Sequence, residues 1–369
     1  MLSLYRIREL VKSHPSFFEK KFTAGTRNLS LFSYHYAHTD NYRDKSEDLL
    51  QLRGITYDRD TGELAALPYH KFFNFGEMVT QFDVTEYVIF EKLDGSMVFP
   101  IPHDDTFSFA TGKGLTEVAK VAQDFISDKP AYSQFINKCL DKEWTPIFEW
   151  CSAKMRVVLT YPEDRLVLTG IRKHKDGSYL THSEMLEEAV GIDVVNILPV
   201  PEASTTDWVS SVREIPNAEG FVCRKGNHFL KIKCDDYMKA HHSIDLLKSK
   251  NQILDLVLDG KVDDLKARMV TSTNSCLFRP GDKEALEEFE TKVWDHIKIC
   301  SEKFLDEIHL EMSDKEFATG FAKDHPHKGL LMMIRRNPKD AYRIVHTYAS
   351  KHRYVFFPHL DWDSRLRME

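Results

Sequence analysis

Apolar and polar positions along the chain follow two different periods. From about residue 28 to about residue 237, short apolar runs are broken by Gly, Asp and Pro: Leu29–Tyr36, Tyr87–Phe90, Met97–Ile101, Thr106–Ala110, Thr145–Trp150, Arg156–Tyr161, Leu166–Ile171, Gly220–Arg224 and Phe229–Cys234. Runs of this length bounded by turn residues predict strands. Residues 1–13 predict a short amphipathic helix, and helical stretches near 116–141 and 183–190 interrupt the strands. After about 240 the strand runs stop. Leu286, Phe289, Val293, Ile297, Cys300, Phe304 and Ile308 recur at gaps of three and four, which puts one apolar stripe along a helix of about 25 residues. The stripe is short for a coiled coil and suits a packed bundle helix. Asp282, just ahead of it, is expected to be its N-cap. The change of period sets a boundary near 245, so the expected domains are 1–245 and 246–369.

Length and composition fit this division. A chain of 369 residues suggests two or three domains at roughly 100–200 residues each. With 42% hydrophobic and 29% charged residues it has the make-up of a globular protein. The net charge of −7 argues against wholesale electrostatic binding of nucleic acid but leaves room for a local basic groove. Charge is in fact uneven. Lys323, Lys328, Arg335, Arg336, Lys339, Arg343, Lys351 and Arg353 stand against only Asp324 and Asp340 in that stretch, which is either an RNA-phosphate surface or a solvated helical face. The six cysteines form no CxxC pair, which suits a reducing compartment and argues against a structural zinc site. Scattered histidines, including His241-His242, lack metal-ligand spacing with nearby acids or cysteines. No apolar signal region opens the chain and no run of about 18 apolar residues occurs, so a cytoplasmic, non-membrane protein is expected.

Candidate chemistry centres on Glu91-Lys92-Leu93-Asp94-Gly95-Ser96. The lysine closes one strand, Asp-Gly is expected to make a tight turn using the positive φ that Gly permits, and another strand follows. The lysine's amine would then face a cavity between sheets. A lysine is a nucleophile only after losing its proton, and its ordinary pKa is about 10.4, so the site must favour the neutral amine through neighbouring cations or burial. Alone, Lys-x-Asp-Gly reads first as a hairpin turn with a solvated lysine. Its neighbours change that. Thr145–Glu149 is a strand ending in an acid, and Glu219-Gly220 enters another strand. Lys231 and Lys233, at i and i+2, lie on one face of a third. Two like charges side by side are unfavourable without an anion, which a phosphate would supply.

In this order and spacing, Lys92-Leu93-Asp94-Gly95, Glu149, Glu219-Gly220 and Lys231-Ile232-Lys233 resemble the signature of the covalent nucleotidyltransferases, the ligases and mRNA capping enzymes. Five further segments are similar to the RNA ligase 1 family of the T-even bacteriophages: Leu31–Tyr36, Leu52–Ile55, His70–Asn74, Arg156–Tyr161 and Asp259–Lys266. That similarity runs in register from about 28 to about 268 and fades beyond. DNA ligases and capping enzymes continue into a small β-barrel, whereas this chain turns helical. A non-catalytic RNA-binding protein on the same fold would be expected to lack Lys92 or one of the paired lysines.

The resemblance implies an α+β fold: a ligase-type domain of two antiparallel sheets with flanking helices, then an all-helical C-terminal domain. It implies an ATP-dependent RNA ligase in which Lys92 takes up AMP, passes it to a 5′-phosphate RNA end and lets a 3′-hydroxyl displace it. The expected substrate is cleaved tRNA, the expected metal Mg²⁺ or Mn²⁺, and the expected state a monomer in the cytoplasm, the host's if phage-encoded. By the same resemblance Tyr34, Arg53 and Lys71 contact the nucleotide, with Gly95 beside it, and Lys231 and Lys233 hold the α-phosphate. Glu149 and Glu219 bind metal or fix the ribose. Asp263 matches a metal-associated acid, although an N-cap explains it as well. Phe73 either stacks on adenine or belongs to the core, Lys113 either touches phosphate or sits in a hairpin, and Tyr237 matches a family tyrosine after the lysine pair.

Overall fold

The computed structural model describes residues 2–35, 39–42, 47–155, 157–247, 249–270, 278 and 281–360. They form two compact units, Met1–Lys239 and Ala240–Met368. The class is α+β, and the first unit carries its strands in three sheets. One sheet joins β1 (Phe17–Ala24), β2 (Arg27–Tyr34), β3 (Ile55–Asp58) and β4 (Leu64–Ala66) in that order. A second has the order β10-β9-β7-β8, from β7 (Ser96–His103), β8 (Thr106–Ala110), β9 (Trp144–Cys151) and β10 (Arg165–Lys173). The third has the order β11-β6-β12-β13-β5, from β5 (Phe73–Asn74), β6 (Val88–Glu91), β11 (Ile197–Leu198), β12 (Gly220–Lys225) and β13 (His228–Lys233). Its β13–β5 pair is parallel and the other pairs are antiparallel.

Local chemistry accounts for the helices. Ser3 caps α1 (Leu4–Ser13) by accepting from the Arg6 N–H. The expected helix over 116–141 is two, α2 (Glu117–Phe125) and α3 (Pro130–Asp141), because Pro130 fits only a first turn and starts a new helix. Thr181 and Glu184 form a reciprocal capping box on α4 (His182–Glu188). Then come α5 (Thr205–Arg213) and α6 (Asp235–Leu247), which runs across the division between the units. The second unit is helical among the described residues: α7 (Lys250–Leu258), α8 (Val262–Val270), α9 (Asp282–Asp306), α10 (Asp314–Thr319), α11 (Lys328–Arg336), α12 (Ala341–Lys351) and α13 (Arg353–Phe356). In α9 Leu286, Phe289, Val293, Ile297 and Phe304 are buried, while Cys300 is only half-buried. The N-cap of α9 is Gly281, not Asp282 as expected. Asp282 lies in the first turn, where an acid still complements the helix dipole.

Two strand expectations fail informatively. Residues 157–161 form no strand (Arg156 lies outside the described residues), and their backbone N–H groups serve a carboxylate described below. Strand β1, with its Glu-Lys-Lys centre, carried no clear apolar run and was not anticipated. The Lys92–Gly95 segment is also not a hairpin. It leaves β6 in the third sheet and enters β7 in the second, so it crosses between sheets. Gly95 does not adopt a positive φ. Its lack of a side chain matters for another reason: a Cβ there would lie 2.4 Å from the Trp150 carbonyl oxygen and 3.0 Å from Glu149 Cγ. Gly220 has both constraints, with φ +135° and only 2.0 Å between a would-be Cβ and the Ile232 carbonyl oxygen. No helix among the described residues is long and apolar enough to cross a membrane.

A methyl group at position 95 must displace the β9 backbone at Trp150, so Gly95→Ala is expected to destabilise the protein by roughly 1–3 kcal/mol, the usual cost of overpacking. Gly329→Ala is the control. It sits in α11 with nothing within 4 Å of its would-be Cβ and should stabilise by up to about 1 kcal/mol. Thermal unfolding of the two variants checks both signs, and a wild-type midpoint for Gly95→Ala would show that the seam has slack.

Candidate active site

The second and third sheets face one another across a cavity of about 250 Å³. Alternation along each strand decides what enters it. In the third sheet, Val222 and Arg224 of β12 pair with Lys231 and Phe229 of β13, and all four line the cavity. From the second sheet come Met97 of β7, Glu149 of β9 and Thr169 of β10. Lys92 lies at the seam. Its backbone N–H donates to the Gly220 carbonyl at 3.0 Å, which fixes the end of β6 beside the start of β12.

Charge is dense and unequal here. Glu219 is held between two lysines, with Lys92 Nζ 2.8 Å from Oε2 and Lys233 Nζ 3.0 Å from Oε1. Burial works against its carboxylate, but Lys92 and Lys233 outweigh burial and hold the carboxyl below its ordinary value. Lys231 has no such partner: among the described residues no carboxylate lies within ion-pairing distance of Lys231, Arg53 or Lys71. Burial and the charges of Arg53, Lys71, Lys92 and Lys233 push Lys231 well below the usual lysine value. Lys231 Nζ and the Arg53 guanidinium each lie 5.2 Å from the centre of the Phe72 ring, so two cations use one aromatic face region in place of an acid. The acids that line the cavity itself are Glu149 and the exposed Glu91. Burial raises the Glu149 carboxyl from 4.5 to about 7, with Lys92 opposing the rise.

Lys71, Tyr34 and Phe73 gather beside this cavity rather than in it. Lys71 Nζ stands 5.5 Å from the Tyr34 ring centre and 5.3 Å from that of Phe73. Lys71 and Phe73 line an adjacent cavity of about 600 Å³ that shares the walls Phe72 and Phe229 with the first. Burial, then Arg53, lowers Lys71 to about 8. Gly95 lines the first cavity, as expected of a residue beside the nucleotide. Lys113 is exposed in the Thr111–Gly114 turn, where its carbonyl accepts from Lys20 Nζ at 2.8 Å. Asp263 lies in the second unit, in the first turn of α8. Its side chain is 85% exposed and pairs with Lys266 at 3.3 Å. Among the described residues no three His, Cys, Asp or Glu side chains converge as a metal site.

Other residues emerge only in three dimensions. Phe72, and not Phe73, is the aromatic wall under the cations. Arg224 reaches the deep end, buried, its guanidinium donating to the carbonyls of Gly226, Leu180 and Tyr179. Asp94, buried at 2% exposure, does not line the cavity. Its Oδ1 accepts from Tyr237 at 2.7 Å and its Oδ2 from the backbone N–H groups of Val158 and Leu159. Lys233 Nζ lies 5.0 Å from the Tyr237 ring centre. Tyr237 thus touches Asp94, Lys233 and Glu219. The resemblance marks Tyr237 and the 156–161 segment, but nothing in the sequence shows their ties to Asp94.

An RNA ligase family profile matches residues 51–238, just over half of the chain. A protein of Thermovibrio ammonificans provisionally named an RNA ligase is 28% identical over 339 residues, covering 83% of this chain and 87% of that one. RNA ligase 1 of bacteriophage TS2126 is 24% identical over 229 residues, 58% of this chain and 57% of its own. Among solved structures, a Naegleria gruberi RNA ligase with AMP and Mn aligns at a TM-score of 0.38 and 13% identity, covering 61% of this chain and 76% of that one.

The raised carboxyl of Glu149 has a consequence in pH. Between about 4.5 and about 7 the folded protein keeps a proton that the unfolded chain releases. That contribution to stability is whole below the unfolded value and is lost as pH rises through the folded one. Relative to Glu149→Gln, wild type should therefore lose stability as pH is raised across this window. Urea unfolding of both proteins at several pH values measures the difference, and a constant difference would mean that Glu149 is ionised throughout.

Proposed function

The chain belongs to the RNA ligase family of the phage RNA ligase 1 type and is an ATP-dependent RNA ligase, and on that premise we propose that Lys92 is its nucleophile and the cavity around it the seat of ATP. The observation that carries this is the gathering of Lys92, Lys231, Lys233 and Arg53 on one cavity, with the buried Glu219 paired to only two of them. Such a cluster is poorly compensated until an anion enters, and a phosphate chain supplies that anion.

Each residue's part follows from its surroundings. Lys92 Nζ gives up its proton and attacks the α-phosphorus; a P–N bond forms and the bond to pyrophosphate breaks. Lys231 and Lys233, on one face of β13, meet the charge on the phosphoryl oxygens and gain strength as that charge grows. Arg53, and Lys71 in the adjoining cavity, are suited to the rest of the phosphate chain. Glu219 holds Lys92 in place before the nucleotide is there and is released from it when Lys92 reacts. In the second step a 5′-phosphate oxygen of RNA attacks the same phosphorus, forming the pyrophosphate link of RNA-adenylate as the P–N bond breaks. In the third a 3′-hydroxyl attacks the RNA phosphate, the phosphodiester forms and AMP leaves.

Glu149 and Glu219 are the carboxylates suited to a divalent cation, Mg²⁺ or Mn²⁺. Two carboxylates fit such an ion when substrate phosphate and water complete its shell. Bound there, it would neutralise charge on the phosphoryl oxygens. We extend the proposal to cleaved tRNA as substrate, to a monomer in the cytoplasm, and to the helical unit as a reader of RNA. In that unit Arg335 is buried and paired with Asp314, and Arg353 is paired with Asp255. Lys323, Arg336, Lys339 and Lys351 are exposed and available for phosphate.

Incubation with a divalent metal and each α-labelled nucleotide, followed by a denaturing gel, tests the nucleophile. Label from ATP alone that is absent in Lys92→Ala is expected. Label from GTP would indicate capping chemistry, and no label would favour RNA binding without catalysis. In the same assay Lys231→Ala and Lys233→Ala should each slow labelling by on the order of 100-fold, the cost of removing one transition-state contact. Near wild-type rates would leave β13 a mere wall.

A further inference from the structure

We infer that Asp94 is the peg that holds Lys92 in its reacting position, braced by Tyr237, and that Tyr161 is a positioning residue acting through it; this rests on Lys92 as nucleophile. The inference comes from how the four residues 92–95 are held. The Lys92 N–H is tied to Gly220, Leu93 is buried in the core, and Gly95 is pressed against the Trp150 carbonyl. Asp94 supplies the remaining ties. Its backbone N–H donates to Tyr161 Oη at 2.9 Å. Its carboxylate accepts from Tyr237 Oη at 2.7 Å, from the Val158 N–H at 2.8 Å and from the Leu159 N–H. Segment 157–161 and the first turn of α6 therefore converge on one residue two places from the nucleophile.

The arrangement suits positioning and not substrate binding. Asp94, Tyr161 and Tyr237 do not line the cavity, whereas Lys92, Leu93 and Gly95 do. Both carboxylate oxygens of Asp94 already accept hydrogen bonds, so binding a cation would mean giving some of them up. Residues 157–161 remain outside any strand, which leaves the N–H groups of Val158 and Leu159 free for this carboxylate. Tyr161 also lies against the Cys151 thiol. Tyr161 reaches the chemistry through the backbone that carries Lys92, whereas Tyr237 also touches Glu219 and Lys233. In-line attack tolerates little displacement, and a misplacement of about 1 Å costs on the order of 100-fold.

Tyr161→Phe removes a single oxygen and is the test. Single-turnover formation of the protein–AMP adduct should slow by about 10- to 100-fold. ATP affinity, measured in a Lys92→Ala background with and without Tyr161→Phe, should be unchanged. Combining Tyr161→Phe with Asp94→Asn should slow the reaction no more than the worse single change, because both loosen one tie. A wild-type rate in Tyr161→Phe, or a loss of ATP affinity matching the loss of rate, would overturn the inference. Should Tyr161→Phe fail to fold, Asp94→Asn, which keeps the shape of the side chain, carries the same expectations. Mass mapping of the adduct in wild type separates the two levels. AMP on a residue other than Lys92 defeats the nucleophile itself, whereas AMP on Lys92 with unimpaired Tyr161→Phe defeats the peg alone.

Discussion

Glu219 sits buried between Lys92 and Lys233 at 2.8 and 3.0 Å, and those two lysines line a cleft together with Lys231 and Arg53. Charges attract or repel more strongly in such a place than in water, and removing them from water costs several kcal/mol per ion unless they are well paired. Glu219 pairs with two of these four cations. The fold manages the excess with the face of Phe72 and by pushing Lys231 toward its neutral form. The remaining imbalance favours whatever anion brings negative charge into the cleft, and a ligand that binds only the folded state stabilises it in turn.

Three carboxylates close to Lys92 in sequence or in space have three different environments. Glu219 is kept ionised by two lysines, Glu149 is raised to about 7 by burial, and Asp94 is raised by burial while Tyr237 and two backbone N–H groups resist the rise. Identical functional groups with separated proton affinities can take separate tasks. One acid restrains the amine, one is poised near neutrality, and one fixes the backbone.

Much of this was legible in the sequence. Strand signals located β6, β7, β9, β12 and β13 to within a residue or two, and period-2 alternation put Lys231 and Lys233 on one face. The change to helical spacing near 240 was equally plain. What failed depended on distant neighbours. Asp-Gly reads as a hairpin unless one knows that the flanking strands join different sheets. Val157–Tyr161 reads as a strand because its β-branched residues suit one, yet its N–H groups turn to a carboxylate 64 residues earlier. Phe72 and Phe73 cannot be ranked from their neighbours alone. The short strand β5 decides which of them faces the cations. Asp282 and Gly281 are both acceptable caps, and only backbone conformation chooses between them.

The seam at Lys92 has a bearing on when the protein becomes reactive. Arg53, Lys92, Glu149, Glu219, Lys231, Lys233 and Tyr237 come from segments spread over most of the first unit. No hairpin or other local unit brings the lysine together with its partners. With Lys92 as the proposed nucleophile, a nascent chain would carry that lysine before it carried Glu149, Glu219, Lys231 and Lys233. Covalent labelling by ATP is for the same reason a reporter of completed folding, silent in every partially assembled intermediate.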